Sequence, residues 1–209
     1  MIFKEKVRID INLFFINIFK NNWILGINSF LINQQKVDIS KYFNNQRITL
    51  FKEYLIEGHN KIEITFTNLY RNTGTGLHKF TDPADNGEYL YTQFEPFHAH
   101  RAFPCFDQPD IKARMRMSIL APSDHVTLSN TMEESVISAK DDKEYVYDYI
   151  TDNHFDSLIV DKDNYTVTQF KTTQKISSYL FAIIAGPYDI VEKEGLIPGK
   201  DEPIRMRFM

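Results

Sequence analysis

Alternation of polar and apolar residues with a period of two restricts this chain more than any other feature, because it fits a β-strand with one buried and one wet face. At residues 7–13, Val7, Ile9, Ile11 and Leu13 alternate with Arg8, Asp10 and Asn12. In "KIEITFTNLY", Ile62, Ile64 and Phe66 share one face and Glu63, Thr65 and Thr67 the other. In "ARMRMSI", Met115, Met117 and Ile119 oppose Arg114, Arg116 and Ser118. The runs "WILGINSFLI", "QRITLF", "EYVYDYI", "NYTVTQF" and "SYLFAIIAG" add short β-rich stretches, punctuated by "DPADNG", "APSD" and "GPYD". No long helical period interrupts them. The expected fold is all-β and mainly antiparallel, a sandwich or curved sheet with little helix. One domain over residues 1–209 is expected, with no internal repeat and no low-complexity linker. Asn-rich patches such as "KNN" and "FNNQ" fit loops, because Asn suits turns and left-handed backbone.

Charge and cysteine content remove several function classes. A net charge of -4 over 209 residues provides no basic face for nucleic acid. The lone Cys105 can neither close a disulfide within the chain nor build a thiolate metal site, which points to a cytosolic protein. The apolar stretch at residues 11–32 is cut by Lys20, Asn21 and Asn22, whereas a spanning helix needs about 20 apolar residues in a row, so no membrane span is expected. The alternation that follows Lys4, Glu5 and Lys6 also differs from a secretory signal.

The residues themselves offer little catalysis. There is no HExxH helix to place two histidines and a glutamate on one zinc. His98 and His100 stand two apart, a weak metal pair, and His59, His78, His125 and His154 are scattered. No GxSxG elbow occurs, and Cys105, between Pro104 and Phe106, sits in apolar company that disfavours a thiolate. "GTG" at residues 74–76 reads as a turn, and "DPADNG" lacks the bidentate glutamate of a calcium loop and reads as a surface turn. Asn164, Tyr165 and Thr166 fit a glycosylation triplet, which matters only in a secreted chain.

What remains is "GLHKFTDPADNGEYLYTQFEPFHAHRAFPCFDQPDIKA", followed by "LAPSDHVTLSN" and "KTTQKISSYLFAIIAGPYDIV". These stretches, with "LIEGHNKIEITFTNLYRNTGTG" before them, closely resemble the N-terminal domain of the M1 family of zinc aminopeptidases, the aminopeptidase N type. The resemblance implies a saddle-shaped, mostly antiparallel β domain that precedes a thermolysin-like catalytic domain. The family's metal motif and its GxMEN exopeptidase motif lie in that second domain, and neither occurs here. The chain is expected to hold no cofactor of its own, zinc being the cofactor of the full-length family enzyme, and to be inactive alone. The family's opening strand is expected to be absent or cut short, and "PIRMRFM" falls about where the first domain hands over to the second.

The family's TQFE motif falls on Thr92, Gln93, Phe94 and Glu95. The resemblance implies that Glu95 binds the free α-amino group of a peptide N-terminus and that Gln93 lines the first side-chain pocket. It also implies a cis bond between Glu95 and Pro96, which a proline makes accessible because its trans preference is only roughly 0.5 to 1 kcal/mol. "RAFPCFDQPDIKA" reads as a brace, a fixed turn with local ion pairs among Arg101, Asp107, Asp110 and Lys112. Two readings stand. The chain is either the substrate-recognition piece of a metalloaminopeptidase, partnered by the catalytic domain, or a free-standing non-catalytic binding or scaffold module acting with another protein.

Overall fold

Alternation becomes burial in the strand His59–Thr67, where Asn60, Ile62, Ile64 and Phe66 are buried while Lys61, Glu63 and Thr65 between them are half-exposed. The computed structural model describes residues 8–16, 26–38, 40, 43–44, 47–50, 52–153, 155–156, 159, 161–196 and 204–208. His59–Thr67 lies inside a four-stranded sheet, with Arg8–Ile16 on one side and Gly26–Ile32, then Gln35–Lys36, on the other. The turn between those last two strands places Asn33 and Gln34 at φ of 50° and 68°. Two consecutive left-handed residues give a hairpin the twist of its flanking strands. The buried Asn60 accepts hydrogen bonds from the Asn33 amide at 2.9 Å and from the Ile56 N–H at 2.8 Å, tying this turn to the neighbouring loop.

A second four-stranded sheet has the order Val126–Ser129, Ile183–Gly186, Glu88–Gln93, Gly76–Thr81, all antiparallel. The larger core joins this sheet to the first, with Phe30, Ile62, Ile64 and Phe66 on one side and Leu77, Leu90, Phe94 and Phe181 on the other. A third sheet, Ser118–Pro122, Tyr165–Phe170 and Glu133–Ser138, carries a separate cluster of Ala139, Val146, Ile150, Phe155 and Val167. Short ribbons pair Lys112–Ala113 with Ile176–Ser177, Phe43–Asn44 with Arg47–Ile48, and Val191–Gly195 with Ile204–Phe208. The fold is therefore all-β and mostly antiparallel, as the sequence predicts.

Four expectations change in detail. "EYVYDYI" lies in the helix Lys143–Asp152, because the Asp142 carboxylate caps it by accepting the Tyr145 N–H at 2.9 Å and Val146 and Ile150, four apart, are both fully buried. Tertiary burial overrides the β preference of its tyrosines and valine. "ARMRMSI" keeps its alternating burial, yet ladder pairing covers only Lys112–Ala113 and Ser118–Pro122; between them the Met115 and Met117 carbonyls accept from the Thr173 and Phe170 N–H groups. "SYLFAIIAG" opens with a 3-10 turn at Ser178–Leu180 and becomes strand only at Ile183. Arg8–Ile16 pairs parallel with His59–Thr67, a departure from an otherwise antiparallel set. Residues 20–25, part of "QRITLF" and His154 lie outside the described residues. Among the described residues no helix is long and apolar enough to cross a membrane.

Candidate functional site

The strand Glu88–Gln93 carries the candidate residues to its end. Leu90 is buried while Tyr91 and Gln93 are exposed, and past the strand Phe94 is buried while Glu95 is exposed. The period of two thus persists through Glu95 and sets Gln93 and Glu95 on either side of a deeply anchored Phe94. The Phe94 ring packs edge-to-face on Phe103 at 5.7 Å between centroids, and Phe103 does the same on Phe181 at 5.6 Å. Glu95–Pro96 is cis, as expected. The turn through residues 95–97 closes when the His98 N–H donates to the Phe94 carbonyl at 2.7 Å. Phe97 is 55% exposed, so the tip of this turn presents a carboxylate, a proline and an aromatic ring together.

Both flanks of the turn are tied down. On the near side the Thr92 hydroxyl accepts the Ile183 N–H at 3.0 Å and donates to the Phe181 carbonyl at 3.4 Å. Opposite Gln93 stands Gly76 at φ 82°, where a side chain would press on Arg101 Cβ at 3.2 Å and Arg71 Cγ at 3.4 Å. Glycine suits both that backbone and that closeness. On the far side the 3-10 turn Ala99–Arg101 has Ala99 fully buried, and its Arg101 carbonyl accepts from the Asn68 amide at 2.7 Å.

Asp107 joins the far flank to the 3-10 turn Ser178–Leu180. Its Oδ2 accepts the His100 N–H at 3.1 Å and lies 2.6 Å from His100 Nδ1, and its Oδ1 accepts the Ser178 hydroxyl at 3.0 Å. An ionised carboxylate only accepts, so Nδ1 carries the hydrogen. Partial burial of Asp107 opposes its charge, but the hydrogen bonds from His100 and Ser178 outweigh it and hold the carboxyl below the usual carboxylate range. Burial, reinforced by the Asp107 charge, pushes the Cys105 thiol up to about 12. That is an inert thiol, in line with its apolar setting. The ion pairs expected among Arg101, Asp107, Asp110 and Lys112 do not form among the described residues; Arg101 instead donates to the Thr75 hydroxyl at 2.7 Å and Asp107 takes His100. The brace is real, but a histidine and two serines make it, Ser177 donating to the Pro109 carbonyl at 2.5 Å. Ser178 lies 71 residues from Asp107, and no local signal marks the pairing.

No zinc site fits this chain's described residues. No three His, Cys, Asp or Glu side chains converge as ligands among them, and the His98 and His100 rings are 6.4 Å apart with His100 Nδ1 engaged by Asp107. The Nδ1 of His98 is buried without a hydrogen-bond partner.

Known proteins bear on this geometry. The family model described as the peptidase M1 N-terminal domain matches residues 4–180. Aminopeptidase N of Streptomyces lividans is 34% identical over 168 residues, which cover 78% of this chain and 16% of that protein. Probable M1 family aminopeptidase 1 of Encephalitozoon cuniculi is 32% identical over 143 residues, 68% of this chain and 14% of that protein. Human aminopeptidase N is 31% identical over 103 residues, 49% of this chain and 9% of that protein. The matched part of the chain thus spans at most 16% of the length of these relatives.

Proposed function

Because the chain belongs to the M1 peptidase N-terminal domain family, we propose that it is the substrate-recognition domain of a zinc aminopeptidase, with Glu95 accepting the α-ammonium of a peptide and Gln93 lining the place of the first side chain. The observation that carries this reading is the exposed pair Gln93 and Glu95 at the end of a strand whose intervening Phe94 is locked into the core. Anchoring Phe94 fixes the backbone on which Gln93 and Glu95 sit, so both side chains start from a set position when a substrate arrives. A charge-assisted hydrogen bond to an ammonium is roughly twice as strong as a neutral one, and more so where a second domain excludes water. An internal peptide bond offers no ammonium and would leave the acid unpaired, which favours release of N-terminal residues over internal cleavage.

Zinc supplies Lewis-acid activation of water in such an enzyme. Its ligands belong, on this reading, to a thermolysin-like domain joined to this one, since the chain has no HExxH and no GxMEN. The isolated chain is then inactive, and the wet surface around Glu95 and Phe97 is where the second domain docks. A cytosolic location is part of the proposal, supported by a cysteine chemistry that requires no oxidising compartment.

Two measurements test it. Immunoblotting of the source should show a polypeptide several-fold larger than 209 residues; a band at the size of this chain alone would favour the free-standing module. In the full polypeptide, Glu95→Ala should raise KM for a free-amine substrate about tenfold to a hundredfold, the equivalent of about 1.5–3 kcal/mol for a hydrogen bond to a charge, with zinc content unchanged. An unchanged KM would remove Glu95 from the binding site.

A further inference from the structure

We infer that Asp107 is a positioning residue for Glu95, acting through His100 to hold the recognition turn between two ties to one segment of chain. The inference rests on the reading of Glu95 given above. Along the chain, the near tie is Thr92, whose hydroxyl meets the Phe181 carbonyl and the Ile183 N–H. The far tie is Asp107, whose two oxygens divide their work: Oδ2 takes the backbone and the ring of His100, and Oδ1 takes the Ser178 hydroxyl. Residues 178–183 therefore grip the turn from both sides, and Glu95 lies between the grips. Its own side chain is exposed and has no contact with either tie among those described.

A carboxylate suits this post because it accepts at both oxygens at once, facing three donors from two parts of the chain. The Asp107 side chain is only 10% exposed, so water is a poor substitute for it. Without it the 3-10 turn Ala99–Arg101 keeps its apolar anchors, Ala99 and Ala102, but loses its polar link to the 3-10 turn Ser178–Leu180. The consequence falls on the short closed turn just before it, where the His98 N–H to Phe94 carbonyl bond sets the direction of Glu95. Small displacements of an amine-binding carboxylate weaken binding of the ammonium more than they alter chemistry at a distant metal.

The test uses the full native polypeptide with Asp107→Ala, Ser178→Ala, Glu95→Gln, and Val146→Ala as a control. Val146 is fully buried in the other core cluster, so its truncation destabilises without touching either tie. Hydrogen exchange read by mass spectrometry on peptides covering residues 95–101 should quicken about tenfold in Asp107→Ala and in the milder Ser178→Ala, and not in Val146→Ala. With alanyl p-nitroanilide as substrate and zinc content unchanged, KM should rise several-fold in both tie variants while kcat stays within about twofold. Exchange at residues 95–101 matching the parent protein, or a KM that moves no more than in Val146→Ala, overturns the inference. If Glu95→Gln raises KM and Asp107→Ala does not, the positioning role falls and the amine reading stands. If Glu95→Gln leaves KM unchanged, both fall.

Discussion

At the scale of single residues, Asp107 and Cys105 make opposite statements about ionisation two positions apart. Asp107 is held charged by donors from His100 and Ser178, so its folded pKa lies below the unfolded value of about 3.9. A depressed carboxyl contributes stability that is present above the unfolded pKa and is lost as pH falls through the folded one. Urea unfolding followed from pH 6 down to pH 2.5 should therefore show a loss of stability below about pH 4 that Asp107→Asn, already less stable at pH 6, shows to a smaller degree. Parallel acid slopes for the two proteins would contradict the assignment. Cys105 is pushed the other way, up to about 12. At pH 8 iodoacetamide should label the native protein slowly and the urea-unfolded protein at the rate of a free thiol. Equal rates would mean that the thiol is neither buried nor raised.

Among the elements, the helix Lys143–Asp152 is the instructive one, since its residues read locally as strand. Its cap is a single side chain. Asp142→Ala should cost about 1 kcal/mol, lowering Tm by about 2–4 °C for a chain of this size, which differential scanning calorimetry resolves. What makes the segment helical is a buried pair, Val146 and Ile150, whose partners in Leu120, Ile137 and Val167 are brought by other strands. The strands, by contrast, were legible because their signal is local: His59–Thr67 buries every second residue that its alternation marks. The exposed Gln93 at the end of the strand Glu88–Gln93, and Glu95 beyond it, were legible through the TQFE resemblance on residues 92–95. The ties that hold it were not, since Asp107 with Ser178 and Thr92 with Ile183 lie 71 and 91 residues apart. Pairings at that distance depend on sheet register, which short-range pattern does not determine.

For the whole molecule, the two core clusters divide labour: one carries the sheets that present Gln93 and Glu95, the other the helix and the third sheet. Around the presented edge Tyr91 is 38% and Phe97 55% exposed, apolar surface that stays wet when this chain stands alone. Sedimentation of the isolated chain should show weak self-association that grows with concentration and falls in Phe97→Ser; a strict monomer at high concentration would speak against a docking surface there. The grip of residues 178–183 on both flanks of the turn at residues 95–97 also has a consequence in time. A ribosome adding about 5–20 residues per second needs roughly 5 to 20 seconds to travel the 91 residues from Thr92 to Ile183. Throughout that interval the strand Glu88–Gln93 has its hairpin partner Gly76–Thr81 but not Ile183–Gly186, so one hydrogen-bonding edge of the nascent sheet stands open. The edge of the strand that ends at Gln93 thereby stays unpaired until Ile183–Gly186 has been made, and until then a chaperone, or a neighbouring nascent chain, can pair with it.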